Sequence, residues 1–274
     1  MERRVLTIQD ISCVGRCSLT VALPIISACG IETSVLPSAV LSTHTGGFTG
    51  YTFRDLSDDM PAIKNHWVKE GIKFDAIYTG YLGSVAQIDY VLDIMNDTLN
   101  EDGVRIVDPA MADNGKLYAG FDEDYVQAMK RLCASAEFIL PNITEACMFT
   151  GYEYREEYDE EYIMGLLEAL NKISSAKIVL TGVSYDKATT GVVVYENNEL
   201  KYYRHKRFEK SYHGTGDVYA SAFVGAYMRG HSSYDSAVIA ADYTTECMRN
   251  TRDDNNKWYG VSFESAIKAL VERV

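Results

Sequence analysis

No segment of this 274-residue chain is apolar over the roughly 18–20 residues that a membrane-spanning helix needs. The longest apolar run, residues 19–31, is interrupted by Thr20, Pro24, Ser27 and Gly30. The charged start, Met1-Glu2-Arg3-Arg4, leads into an apolar stretch at 5–8 that is too short for a secretory signal, so the expected location is cytoplasmic. None of the six cysteines (13, 17, 29, 133, 147 and 247) forms a CxxC, which argues against a zinc ribbon or a thioredoxin-type pair. Cys29, Cys133 and Cys147 have apolar neighbours and read as small core residues; Cys13 and Cys17 lie near a polar motif. There is no GxxxxGK[ST], so no P-loop. Gly214 and Gly216 are followed by Tyr219 where a dinucleotide fingerprint has its third glycine. GxSxG and HExxH are also missing, which removes the usual anchors of hydrolase and zincin readings. Basic side chains are few: 26 against 39 acidic ones, a net charge of −13 with histidines neutral. Such a field excludes nucleic-acid polymers and anionic membranes as partners bound through overall charge.

What is present is an ordinary globular composition, 47% hydrophobic and 24% charged, which is incompatible with wholesale disorder. No repeat, low-complexity tract or linker divides the chain, so residues 1–274 read as one domain. Short β-like runs alternate with helical patterns. Strands are expected at 5–8, 76–79, 104–107, 138–140 and 178–180. Helices are expected from Leu19, with Pro24 bending it, and over 85–99, 125–132, from Glu145, 160–173, 217–228, 234–248 and 261–271. Residues 191–195 and 200–205 flank Asn197-Asn198 and read as a hairpin. Alternation of this kind predicts an α/β fold, a mostly parallel central sheet with helices on both faces. Ligands of such sheets bind beyond the carboxyl ends of the strands.

Those ends are polar and glycine-rich. Asp10 follows the first strand and either faces a ligand or caps a turn. The hydroxyl-rich segment Ser42-Thr43-His44-Thr45 is either a self-bonded turn or a binding loop. In Gly80-Tyr81-Leu82-Gly83-Ser84, Ser84 reads as the cap of the next helix, and Tyr81 offers a flat face. Asp108 and Asp113 put two carboxylates past one strand, either as solvated loop acids or as oxygen ligands for a hard divalent cation. Asn142 and Glu145 are spaced for a capping box, and Glu145 can also serve a metal's water shell. The strongest signal is Gly214-Thr215-Gly216-Asp217 opening a small-residue helix. Its free backbone N–H groups and the helix dipole favour an anion. An aspartate beside a phosphate suits a base that accepts the proton of an attacking hydroxyl.

Together these pieces resemble the ribokinase-like superfamily and, within it, the pyridoxal kinases. The resemblance runs nearly end to end. It rests on Gly214-Thr215-Gly216-Asp217, Asn142-x-x-Glu145 and Asp108-Pro109-x-Met111. The narrower likeness rests on Ser42-Thr43-His44-Thr45, similar to Ser-Asn-His-Thr, and on Gly80-Tyr81-Leu82-Gly83-Ser84. The resemblance implies a three-layer ribokinase-like sandwich that phosphorylates the 5′-hydroxymethyl group of a B6 vitamer with ATP and Mg²⁺, and a monovalent cation as a further activator. It makes Asp217 the general base and Gly214, Thr215 and Gly216 the anion hole. Asp108, Asp113 and Glu145 would organise Mg²⁺, partly through water; Asp108, Asn142, Glu145, Thr181 and Gly182 would serve ATP. Asp10, Thr45 and Tyr81 would contact the pyridine ring, residues 36–53 would cover the substrate, and the chain would form a homodimer. Two positions depart from the family pattern: Asp10 stands where serine is common, and Ala112 where glycine is usual. Hydroxymethylpyrimidine kinase, sugar kinase and a non-catalytic B6-binding protein are the rival readings. Residues 101–172 hold 16 of the acids and 6 of the bases, so the remainder carries little net charge and one polyphosphate is not excluded.

Overall fold

The computed structural model describes residues 3–208, 210, 212–252 and 258–274. Parallel strands form the centre of one sheet: β1 (Arg4–Val14), β2 (Glu32–Thr43), β4 (Phe74–Thr79), β5 (Leu99–Val107), β8 (Phe138–Ile139) and β9 (Lys177–Val183). Antiparallel strands close both edges, β3 (Phe53–Asp55) beside β2, and the hairpin of β10 (Thr189–Glu196) and β11 (Glu199–Lys206) beside β9. The order is β11-β10-β9-β8-β5-β4-β1-β2-β3. A separate small hairpin pairs β6 (Ala112–Asp113) with β7 (Lys116–Leu117). The Asn197-Asn198 turn has both residues at positive φ, 54° and 62°, as a two-residue hairpin requires.

Helices cover both faces. Against one lie α2 (Met60–Lys69), α3 (Val85–Thr98), α4 (Glu123–Ala134), α5 (Ile143–Thr150) and α6 (Glu160–Asn171), packed on a core that includes Leu6, Ile8, Ile77, Val107 and Ile139. Against the other lie α1 (Leu19–Ala28), α7 (Thr215–Met228), α8 (Ser233–Thr251) and α9 (Ile267–Val271), around Val5, Ala76, Tyr78, Phe138 and Phe223. α1 and α7 approach closely because α7 is lined with small residues. A methyl group on Gly225 would stand 2.4 Å from Cys29 Sγ. Pro24 lies inside α1 without ending it.

The expected α/β sandwich is the observed one, with three local differences. β2 and α2 escape the sequence patterns. Pro37 and several serines interrupt the apolar run of β2, and α2 buries only Met60. β1 is much longer than residues 5–8, because burial on both faces extends to polar Thr7, Gln9 and Ser12. The helix expected over 261–271 is a 3₁₀ turn, Glu264–Ala266, followed by the short α9. Residues 261–263 stay irregular because side chains satisfy their backbone: Ser262 N–H donates to Thr251 Oγ1 (2.7 Å) and Tyr243 OH to Phe263 O (3.0 Å).

Candidate active site

Every strand-end motif singled out above arrives at one end of the sheet. The register explains this. β1, β4 and β5 run parallel with Ile8 beside Thr79 and Thr79 beside Val107, so Asp10, Gly80-Tyr81 and Asp108 emerge together. β8 and β9 add Asn142 and Thr181, which form a parallel bridge. α7 then brings Asp217 over the middle of this edge, next to both Asp108 and Asp10.

The Gly-Thr-Gly turn has the geometry that its composition implies. Gly214 caps α7 at φ 77°, a left-handed conformation. A methyl group there would stand 1.8 Å from the Arg16 carbonyl oxygen. The position therefore tolerates only glycine on two separate grounds. A methyl on Gly216 would meet nothing within 4 Å, so that residue borders open space at the helix N-terminus. Asp217, in the first turn of α7, is half-buried. Desolvation first, then the neighbouring Asp108 and Asp10, push its carboxyl up to about 8, against lowering contacts from the Ser18 amide and its own.

Asp108 and Glu145 are a coupled pair of acids. Burial and Glu145 push Asp108 well above the usual carboxylate range. Burial likewise raises Glu145, although it accepts three backbone N–H groups: Met111 at 2.9 Å and Ala112 at 3.4 Å on Oε1, and Asn142 at 2.9 Å on Oε2. Asn142 Oδ1 in turn accepts Glu145 N–H at 2.9 Å, completing the capping box. Glu145 thus fastens the turn after β5 to the start of α5. Asn142 Nδ2 adds a bond to Ala112 O (2.7 Å), so the methyl of Ala112 packs into a fully buried joint.

Asp113 is exposed and accepts from Asn114 N–H and Nδ2 at 2.8 and 2.9 Å. Among the described residues, no three His, Cys, Asp or Glu side chains gather as a direct metal-binding set. Asp108, whose Oδ1 accepts Ala110 N–H at 3.2 Å, retains Oδ2 for a cation. Glu145 and Asp113 have carboxylate lone pairs to spare but are engaged with backbone and Asn114. This donor set fits a hard cation that keeps most of its waters, and it does not fit a fully dehydrated one.

The ring-side residues are less uniformly placed. Asp10 is 5% exposed, accepts Ser12 Oγ at 3.0 Å, and is raised by burial. Tyr81 is half-buried and stacks on Phe121 (centroids 5.5 Å apart), which stacks on Tyr125 (3.8 Å). Thr45 is exposed at the start of the connection after β2. Of residues 36–53, those up to Thr43 belong to β2, because β1 continues far enough for Val14 to pair with Thr43. Only 44–52 joins β2 to β3. That connection is held down at its base: Gly46 N–H donates to His44 Nδ1 (3.1 Å), which leaves His44 Nε2 to donate to Tyr259 O (2.7 Å), and Phe48 packs on Trp258 at 4.6 Å.

Several site residues carry no motif. Gln87, fully buried in α3, ties the β2–β3 edge to the Gly-Tyr-Leu-Gly turn. Its Nε2 reaches Ser38 O (3.0 Å), Ser57 Oγ (2.9 Å) and Asp55 Oδ1 (3.2 Å), while Oε1 accepts Gly83 N–H (2.7 Å). Gln87→Ala is expected to cost about 1–3 kcal/mol of stability, measured by urea unfolding, because it strands buried polar partners. Tyr118, beyond β7, faces Glu145, Asp113, Asp108 and Asp217. Ser18, between β1 and α1, lies close to both Asp10 and Asp217. Cys17 is nearby, but burial, Asp217 and Asp10 push its thiol well up, away from nucleophilic use.

The arrangement is an anion-accepting helix N-terminus, a carboxylate in its first turn, and a second set of acids suited to a hydrated cation. That is the equipment of phosphoryl transfer to a hydroxyl. The comparisons agree. The family model for phosphomethylpyrimidine kinase matches residues 25–261. A Bacteroides thetaiotaomicron protein named for phosphomethylpyrimidine kinase, crystallised with pyridoxal, superposes with a TM-score of 0.92 at 33% identity, covering 98% of this chain and 96% of that one. Pyridoxal kinase from Lactobacillus plantarum gives 0.91 at 32% identity, covering 98% and 97%. The curated pyridoxal kinase of Dictyostelium discoideum is 27% identical over 247 residues, 84% of this chain and 80% of its own length. The chain is a kinase and belongs to the phosphomethylpyrimidine and pyridoxal kinase family of the ribokinase-like superfamily.

Proposed function

We propose that this kinase transfers the γ-phosphoryl group of ATP to the 5′-hydroxymethyl of pyridoxal, pyridoxine or pyridoxamine, and so serves B6 salvage. The observation that carries this reading is the pairing of the open Gly216 side of the α7 N-terminus with Asp217. Asp217 accepts the hydroxyl proton as the oxygen attacks phosphorus. The backbone amides of residues 214–216 hold the charge that develops on the transferred group. Mg²⁺, when bound, would neutralise the phosphate charge; Asp108 would hold it through Oδ2, with Asp113 and Glu145 acting through water. Asn142, Thr181 and Gly182 serve the nucleotide in this reading, which the bridge between Asn142 and Thr181 supports by joining two of them. Asp10 and Tyr81 orient the ring, Asp10 favouring a protonated ring nitrogen. Thr45 and the 44–52 connection cover it and keep water out. A cytoplasmic homodimer and activation by a monovalent cation belong to the same reading.

The family model is named for phosphomethylpyrimidine, and its unphosphorylated counterpart, hydroxymethylpyrimidine, is the second substrate to weigh. It ranks below the vitamers because of the pyridoxal-crystallised relative and the pyridoxal kinase likenesses. ADP release should be assayed with Mg-ATP over the three vitamers, hydroxymethylpyrimidine and ribose. The highest kcat/KM is expected with a vitamer. Preference for the pyrimidine or ribose would overturn the substrate, and vitamer binding without ADP release would leave a binding protein.

The pH dependence follows from Asp217. The base works deprotonated, and its carboxyl is pushed up to about 8. kcat/KM is therefore expected to climb through the neutral range and level off above that value. Raising Mg²⁺ should move this rise to lower pH, because a cation near Asp108 favours the charged form. A flat profile across the neutral range would contradict the role given to Asp217.

A further inference from the structure

The anion-hole turn and the 44–52 connection are far apart in the chain, yet they touch. The contact is made by His213, the residue just before Gly214 at the cap of α7. A methyl group on Gly46 would stand 2.6 Å from Nδ1, 2.8 Å from Cε1 and 3.1 Å from Cγ of His213. The backbone of Gly46 thus lies directly on that imidazole ring. Gly46 is not among the glycines at positive φ, so no left-handed conformation calls for glycine there; the ring does. Gly47 follows at φ 81°, and a methyl on it would stand 3.0 Å from Trp258 and 3.7 Å from His213 Nε2.

The neighbouring contacts close a circuit around the turn. His44, only 4% exposed, tilts against His213 with ring centroids 5.5 Å apart. Phe48 meets His44 edge-on at 5.1 Å and packs on Trp258. The segment after Trp258 meets Arg16 in turn: a methyl on Gly260 would stand 2.7 Å from Arg16 Cβ, and the guanidinium lies 5.7 Å from the Tyr259 ring centre. The Arg16 carbonyl is the group that abuts Gly214. Within this circuit His213 is the direct link between the connection and the turn. It is exposed, and its ring makes no hydrogen bond among the described residues, so the link is one of shape.

We infer that His213 is a positioning residue, whose ring seats the Gly46 backbone and so fixes the cover of the substrate relative to the amides that hold the phosphoryl group. This rests on the kinase reading, in which the 44–52 connection keeps water out. Close-packed groups transmit displacement, so a lost seat lets the connection drift off the turn. Water then attacks the γ-phosphorus in place of the hydroxymethyl oxygen, releasing ADP and inorganic phosphate, and its proton passes to Asp217.

The test compares Gly46→Ala, His213→Ala, the double variant and His213→Phe, with ADP release and phosphorylated product measured side by side on the substrate that the wild type prefers. In the wild type the two amounts are expected to be equal. Each alanine variant is expected to raise KM for that substrate about three- to tenfold, to leave KM for ATP unchanged, and to release ADP in excess of product. A serine-like or merely structural loss would not uncouple ADP from product. In the double variant the methyl meets no ring, so Gly46→Ala should add less than about twofold to His213→Ala. His213→Phe keeps a flat ring at the seat and is expected to stay within about threefold of the wild type. Full additivity of the two alanines, or ADP and product remaining equal in both, would overturn the inference. So would a His213→Phe variant as impaired as His213→Ala, which would give the role to a ring nitrogen. If the wild-type chain bound pyridoxal without releasing ADP, the kinase reading would fail on its own. The same variants compared by pyridoxal affinity, read from ligand absorbance, would still decide for or against the seat.

Discussion

Asp217→Asn is expected to lower kcat by about 10²–10⁴-fold, the usual worth of a positioned general base, while nucleotide affinity changes little. Asparagine preserves the shape but cannot take a proton. The same substitution has a second consequence of opposite sign. An aspartate free in water titrates at 3.8, and in the fold this carboxyl is pushed up to about 8. The folded chain therefore holds this proton more tightly than the unfolded chain does. Stability contributed by the group is complete below 3.8 and is lost as pH rises through about 8. Asparagine removes the ionisation, so at alkaline pH the variant should melt above the wild type while being nearly inactive. Single-turnover assays with ATP binding by calorimetry, and melts on either side of neutrality, read both effects. Near-wild-type kcat would remove Asp217 from the mechanism. A variant less stable at alkaline pH would contradict the electrostatics described for the site.

The second large effect concerns the turn itself. Gly214→Ala must place a methyl where the Arg16 carbonyl oxygen stands, 1.8 Å away, at φ 77°. The left-handed conformation alone costs about 1–2 kcal/mol for an L residue, and the clash adds to it. Since the contact is with backbone, either the turn or the segment before α1 must move. The amides that would hold the phosphoryl group move with it, and loss of one such donor is worth about 10²–10³ in kcat. Gly216→Ala is the informative companion. Its methyl meets no atom within 4 Å, so folding should be close to wild type. A loss of activity there would mean that the open space is occupied during turnover. Thermal melts and ADP release on the pair are expected to separate the glycine needed by the fold from the glycine needed by the ligand. Equal stability of the two variants would count against the geometry of the Arg16 contact.

Much of this site was visible in residue types, and the reason differs from element to element. Gly-Thr-Gly-Asp was legible because a left-handed glycine, free helix N–H groups and a first-turn acid are all local properties. The capping box of Asn142 and Glu145 was legible for the same reason. Gln87 was not, since nothing near it in sequence shows that its amide joins Ser38, Asp55, Ser57 and Gly83. Tyr118 and Ser18 were missed because their partners lie on other strands and helices. The covering segment expected over 36–53 shortens to 44–52 because β2 owes its length to pairing with β1, and its own composition, with Pro37 and five serines and threonines at 33, 34, 38, 42 and 43, argues for a loop.

By itself, then, the sequence determined the alternation of strands and helices, the anion-accepting turn of α7, and the chemical types at each strand end. These depend on backbone preference and hydrophobic period, which act within a few residues of the chain. The tertiary structure decided which of those ends face one another and what charge they carry. Asp10, Asp108 and Asp217 come from β1, the end of β5 and α7; burial in the assembled edge raises all three, Glu145 raises Asp108 further, and Asp108 and Asp10 together raise Asp217. Desolvation and Coulomb repulsion act through space. The proton affinity that suits Asp217 to accept a hydroxyl proton is therefore a property of the assembled sheet edge, which no stretch of sequence contains.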